Sequence, residues 1–190
     1  MKKLFISICV VMFVFVAQAQ EHMTFKGISM DCDIDTFVAK LENGGLLKSD
    51  ANKYQFATLL TGHFAGEDNC NIYVAYTPQS KLVCKIIVQF PRKTSWSLLK
   101  DQYNRLKIAY TVKYGEPQSF EYFKYPYHEG DGKELEAVQL DECTYCSYYN
   151  TPAGIISIEI FNDHIRAVYE DNINFEKKQI EDATIILNDI

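Results

Sequence analysis

The chain has 190 residues, with 19 Lys and Arg against 25 Asp and Glu for a formal charge of −6, and it is 47% hydrophobic and 14% aromatic. An acidic balance weighs against nucleic acid and against anionic membrane surfaces, since both are held by Lys and Arg facing phosphate. So many apolar residues exclude a disordered chain, which cannot bury enough apolar surface to fold.

Lys2 and Lys3 precede a mostly apolar run from Leu4 to Val16, and Ala17-Gln18-Ala19 follows. A positive start, a short apolar stretch and a small-x-small step form the pattern of a cleavable export signal. The run is shorter than the roughly 20 residues a bilayer-spanning helix needs. Residues 1–19 are expected to be removed near Gln20, leaving residues 20–190 as a single domain in the periplasm or outside the cell, with no membrane span. Loss of Lys2 and Lys3 takes the charge from −6 to −8. Cys9 leaves with the leader. Cys32, Cys70, Cys84, Cys143 and Cys146 remain, an odd number in a compartment where thiols tend to oxidise.

Met23 to Met30 reads as a short strand. Asp33 is an expected N-cap, its carboxylate free to accept from the first backbone N–H groups of a helix. Phe37, Val38 and Leu41 mark the apolar face of that helix, and Gly44-Gly45 stops it. Three strands are predicted next: Tyr54 to Phe64, Asn71 to Tyr76 with Ile72, Val74 and Tyr76 on one face, and Leu82 to Phe90. Thr77-Pro78-Gln79-Ser80 is the turn between the last two. Ser95 then caps a longer helix with Leu99, Tyr103, Leu106 and Tyr110 at helical spacing, closed by Gly115 and Pro117. A polar and aromatic loop follows. Leu135 to Leu140 running towards Tyr149, Gly154 to Phe161, and His164 to Glu170 read as three more strands, with Asn162-Asp163 as a tight turn. A polar helix from about Asn174 ends the chain.

This order predicts an α+β fold: tandem units of a helix plus three antiparallel strands, about 20–92 and 93–190, with the helices packed on one face of the sheet. The two units share a pattern and little residue identity. Phe25-Lys26-Gly27-Ile28, Ile34-Asp35-Thr36-Phe37-Val38, Gly62-His63-Phe64-Ala65-Gly66, Trp96 with Leu98 to Tyr103, and Lys113-Tyr114-Gly115-Glu116-Pro117 resemble a group of short exported proteins of unknown function from gut Bacteroidales. The resemblance covers most of the mature chain, lies in caps, turns and core positions, and implies an envelope or secreted setting without a reaction. The element order is similar to the β-lactamase-inhibitor-like fold, whose members are binding modules.

Cys143-Thr144-Tyr145-Cys146 is a C-x-x-C, but it sits in or beside a strand and lacks the helix start that lowers a thiol pKa in redox motifs. A zinc site would need two further ligands, and Cys70 and Cys84 have the wrong spacing. Structural disulfides are the simpler reading, Cys70 with Cys84 across the Thr77 turn and Cys143 or Cys146 with a neighbour. The first pair is strained in register, because a turn centred on Pro78-Gln79 sets Tyr73 opposite Cys84 and a disulfide needs Cα atoms within about 7 Å.

Asp31, Asp33 and Asp35 alternate, and Glu42 stands twelfth from Asp31, which mimics an EF-hand calcium loop. Thr36 replaces the glycine that loop requires, and Phe37 to Leu41 read as helix. These carboxylates are therefore weak metal candidates, and no cofactor is expected. His22, His63, His128 and His164 form neither H-x-H nor H-E-x-x-H, and no G-x-S-x-G is present. His128 lies near Glu129, Asp131 and Glu134 in a segment that reads as a solvated loop.

Phe120, Tyr122, Phe123, Tyr125 and Tyr127 crowd the loop after the second helix. Tyr offers large contact area at low entropic cost and suits both protein interfaces and sugar stacking. The expectation is a binding or interaction module of the cell envelope, with an envelope or extracellular protein or a glycan as partner. The rival readings are a secreted hydrolase with a site dispersed in sequence and a calcium-dependent envelope protein.

Overall fold

A computed structural model describes residues 21–49 and 55–189. The predicted leader, residues 1–19, lies outside the described residues, as does Tyr54, the expected start of a strand.

The first predicted strand is a hairpin. β1 (Thr24–Phe25) and β2 (Ile28–Ser29) pair antiparallel. Lys26 and Gly27 between them have φ of 50° and 78°, the left-handed pair that matches strand twist in a two-residue turn. α1 (Ile34–Asn43) begins where Asp33 accepts from the Thr36 N–H at 2.9 Å and the Thr36 hydroxyl at 2.7 Å. Its Phe37, Val38 and Leu41 are buried. β3 (Leu47–Lys48), β4 (Ala57–Phe64), β5 (Glu67–Tyr76) and β6 (Val83–Gln89) follow. Ser95 caps α2 (Trp96–Tyr114) by accepting from the Leu98 N–H.

The second half differs from expectation at two places. β7 (Gln118–Phe123) occupies the start of the predicted aromatic loop. The segment Leu135 to Leu140 is not a strand but lies in α3 (Glu134–Gln139), which buries Ala137 and Val138. Acidic residues in its first turn suit a helix start. β8 (Cys143–Thr151), β9 (Gly154–Phe161), β10 (His164–Asp171) and α4 (Asn172–Asp189) complete the chain.

The main sheet has eight strands in the order β3-β4-β5-β6-β10-β9-β8-β7, and each pairing is antiparallel. The fold is thus α+β with four helices. Each half is a four-stranded meander preceded by a helix, rather than the predicted three strands. The extra strands, β3 and β7, are the two sheet edges. The last strands of the halves, β6 and β10, meet at the centre with Ile87 opposite Val168.

Burial along the strands alternates with period two, as a sheet covered on one face requires. Leu60, Ile72, Ile86, Ile158 and Ala167 point to the covered face, where they form one core with α1, α2 and the β1–β2 hairpin. Each fully buried aliphatic or aromatic side chain contributes roughly 1.5–3 kcal/mol. A buried polar joint closes this layer. The Asp171 carboxylate accepts from the Met23 N–H at 2.7 Å, from the Asn174 N–H at 2.8 Å and from His22 Nδ1 at 3.1 Å. It caps α4 and pins the β1 segment with one group. Asn174 Nδ2 donates to the carbonyls of Met30 and Val83, tying α4 of the second half to the first.

Candidate binding face

The alternate positions of the strands point away from α1 and α2, and they fall into lateral rows across the sheet. The central row runs Leu59, Tyr73, Ile87, Val168, Ser157 and Tyr148. Apart from Ser157 it is apolar or aromatic, and its side chains are half-buried or exposed. A second row runs Asn71, Gln89, Arg166, Glu159, Cys146 and Phe120. A third runs Ala57, Ala75, Lys85, Glu170, Ile155 and Asn150.

The charges on this face are paired. Arg166 Nε donates to Glu159 at 2.7 Å, and Lys85 Nζ to Glu170 at 3.0 Å. The Arg166 guanidinium also stands 4.0 Å from the centre of the Phe161 ring, a cation–π contact. An apolar row thus lies between two rows that carry ion pairs. Hollows of about 390 Å³ and 190 Å³ open along it and share Ile87 and Arg166. A third hollow, of about 420 Å³, adjoins them through Tyr73 and Gln89 at the end of the face where β5 begins and β6 ends.

The five aromatic residues singled out in the sequence do not form one surface. Phe120 and Tyr122 point to the uncovered face, both exposed, and the Phe120 ring meets Tyr148 edge-on at 6.2 Å. Phe123 points the other way, against Trp96 at 5.3 Å and Tyr145 at 6.0 Å. Tyr125 is 97% exposed. Tyr127 is half-buried and donates its hydroxyl to Glu136 at 3.1 Å. Two of the five therefore join the uncovered face at its edge. The residues at its centre, Tyr73, Ile87, Arg166 and Val168, were not singled out. Their signal was present in the continuous apolar run Ile86-Ile87-Val88, because a strand covered on one face should alternate. An apolar residue at the outward position marks a second surface seeking cover.

The cysteines are corrected. Among the described residues Cys32, Cys70, Cys84, Cys143 and Cys146 are free thiols, and none of the expected disulfides among Cys70, Cys84, Cys143 and Cys146 is formed. Cys70 lies opposite Gly62 at the start of β5, whereas Cys84 sits in a bulge facing Ala75 and Tyr76 at its end. The β5–β6 register therefore separates the two by five or six residues, about 20 Å. Cys143 and Cys146 are three apart on one strand, so they point to opposite faces. Cys143 packs against the core beside α2, and Cys146 sits on the uncovered side beneath Phe120 and Tyr148. Burial pushes Cys70 up to about 11, and Cys84 and Cys143 up to about 12. A thiolate is the reactive form, so these thiols are mostly in the unreactive protonated form at neutral pH.

The carboxylate clusters serve the backbone. Asp33 is held below the ordinary carboxylate range by the Thr36 N–H and hydroxyl. Asp31 is exposed, 3.4 Å from His22, and Asp35 lies in the first turn of α1. In the His128 loop, Asp131 accepts from the N–H groups of His128 and Lys133, which lower its pKa. Glu134 accepts from the Gly130 N–H, and Glu129 pairs with Lys100. Among the described residues no three His, Cys, Asp or Glu side chains converge as metal ligands would. No helix among them is long and apolar enough to cross a membrane.

The chain matches no family model, no curated protein and no solved structure.

Proposed function

We propose that the protein is an exported binding module of the cell envelope, and that it takes its partner on the uncovered face of the eight-stranded sheet. One observation carries the reading: the half-buried apolar row from Leu59 to Tyr148, set between two rows with paired charges. That is the layout of a recognition surface, an apolar centre within a polar rim. Eight strands about 4.8 Å apart span roughly 34 Å, a width that accommodates the ~800 Å² each partner contributes to a standard interface. The export pattern of residues 1–19 and the resemblance to exported Bacteroidales proteins support the setting. The repeated helix-plus-meander order supports similarity in plan to the β-lactamase-inhibitor-like fold.

Affinity capture from the host's own envelope tests this. Ile87→Arg places a charge at the centre of the face, and Val112→Asp places one on an 85% exposed site of α2. The first is expected to abolish capture while the second leaves it intact, with both variants melting near the parent. Equal capture by both would refute the reading. The captured protein is expected to begin near Gln20, and an intact Met1 in the cytoplasmic fraction would refute the export step.

A further inference from the structure

The end hollow of about 420 Å³ is lined by four carboxamides, Asn69, Asn71, Gln89 and Asn162, together with Arg92 and His164. Asn71 and Gln89 are direct cross-strand partners. No hydrogen bond among the described residues engages the side chain of any of the four. Each carboxamide offers two donors and one acceptor, so the hollow presents a dense set of unused polar functions of both kinds. His164 adds another: its Nδ1 lies 3.2 Å from Asp163, while its Nε2 is buried without a partner.

The charge of the hollow is balanced. Arg92 Nε lies 3.5 Å from an Asp163 carboxylate oxygen. Arg166, at the border with the next hollow, is bonded to Glu159. No surplus cation waits for a phosphate or carboxylate. The rings of Tyr73 and Phe161 complete the wall. The volume lies within the range of small-ligand sites.

Groups that both donate and accept, close together, with balanced charge and ring faces nearby, match one ligand chemistry. A sugar hydroxyl donates and accepts at once, and the C–H faces of a pyranose lie against aromatic rings. Neighbouring strands set adjacent amides about 4.8 Å apart, comparable with the span of one sugar ring. We infer that this hollow binds a neutral, hydroxyl-rich saccharide, the end of a glycan. The inference rests on the uncovered face being the binding surface, and it names the ligand class for that end of it.

The test is a titration of the ¹⁵N-labelled mature protein with maltotetraose, cellotetraose, mannotetraose and N-acetylchitotetraose, with tetragalacturonate as the anionic comparison, all at millimolar concentration. At least one neutral tetrasaccharide is expected to shift the side-chain amide signals of Asn71, Gln89 and Asn162, and to bind more tightly than tetragalacturonate. The double variant Asn71→Ala with Gln89→Ala, at half-buried sites, is expected to keep the parent's spectrum elsewhere and to weaken that binding at least tenfold. The inference is overturned if no neutral sugar moves those signals, if tetragalacturonate binds best, or if the double variant binds as the parent does. Envelope capture abolished by Ile87→Arg but retained by the double variant would also overturn it, and would leave the binding-face reading standing with a protein partner.

Discussion

Burial decides how the five cysteines from Cys32 to Cys146 behave. A thiol reagent applied to the native protein at neutral pH is expected to react slowly with Cys70, Cys84 and Cys143, whose thiols are held protonated. Denaturation without reductant is expected to expose five reactive thiols. Three or one would show that an oxidising compartment has forced a pair despite the register, against the present geometry. Glu181 on α4 is the residue whose charge ties that helix to the sheet. Its carboxylate accepts from the Gln79 N–H at 2.6 Å and from the Ser80 N–H and hydroxyl in the β5–β6 turn. Desolvation alone would raise its pKa, but these bonds, with Lys177 nearby, outweigh it and hold the group below its ordinary value. A depressed folded-state pKa means the charged form favours folding. The contribution is present above the unfolded carboxylate value, about 4.3, and is lost as pH falls through the lower folded value. Glu181→Gln is therefore expected to lower the melting temperature at neutral pH, and the gap from the parent should close towards acid. A gap that is constant with pH would show that the carboxylate charge plays no part.

Strand β7 shows how much of this fold was legible in the sequence. The helices with caps at Asp33 and Ser95 were legible, because a side-chain acceptor followed by a 3.6-residue apolar pattern has few alternatives. So were the covered faces of β5, β9 and β10, where alternation is regular. β7 was not, because Gln118-Ser119-Phe120-Glu121-Tyr122-Phe123 is an edge strand with little burial, and neither of its faces gives a clean apolar period. Leu135 to Leu140 misled for the opposite reason: a short amphipathic stretch fits either period until its partners are known. The face proposed for binding was half legible. Phe120 and Tyr122 were singled out, while Ile87, Arg166 and Val168 depend on which of two neighbouring strand positions faces outward, and that is a matter of register. The split within β7 and its following loop is measurable. Phe123→Ala removes a ring packed on Trp96 and Tyr145, and it is expected to cost about 3 kcal/mol in denaturant unfolding. Tyr125→Ala, at a site 97% exposed, is expected to stay within about 0.5 kcal/mol of the parent. Equal effects would contradict the strand orientation described here.

The whole molecule joins two helix-plus-meander halves through β6 and β10, and the joint puts Ile87 and Val168 at the middle of both the sheet and its uncovered face. α1 and α2 occupy the other face, and α4 reaches only the third row, where Lys85 Nζ stands 5.4 Å from the centre of the Phe175 ring, so the apolar row stays open unless a partner covers it. Photocrosslinking in the living host tests this most directly. A benzophenone side chain inserts into C–H bonds of protein and glycan alike, and it can be placed at Ile87 on the uncovered face or at Val112 on the outer side of α2. The Ile87 probe is expected to give a discrete higher-mass adduct and the Val112 probe none. Adducts from Val112 alone, or from neither position, would contradict the claim that this face is where the protein binds.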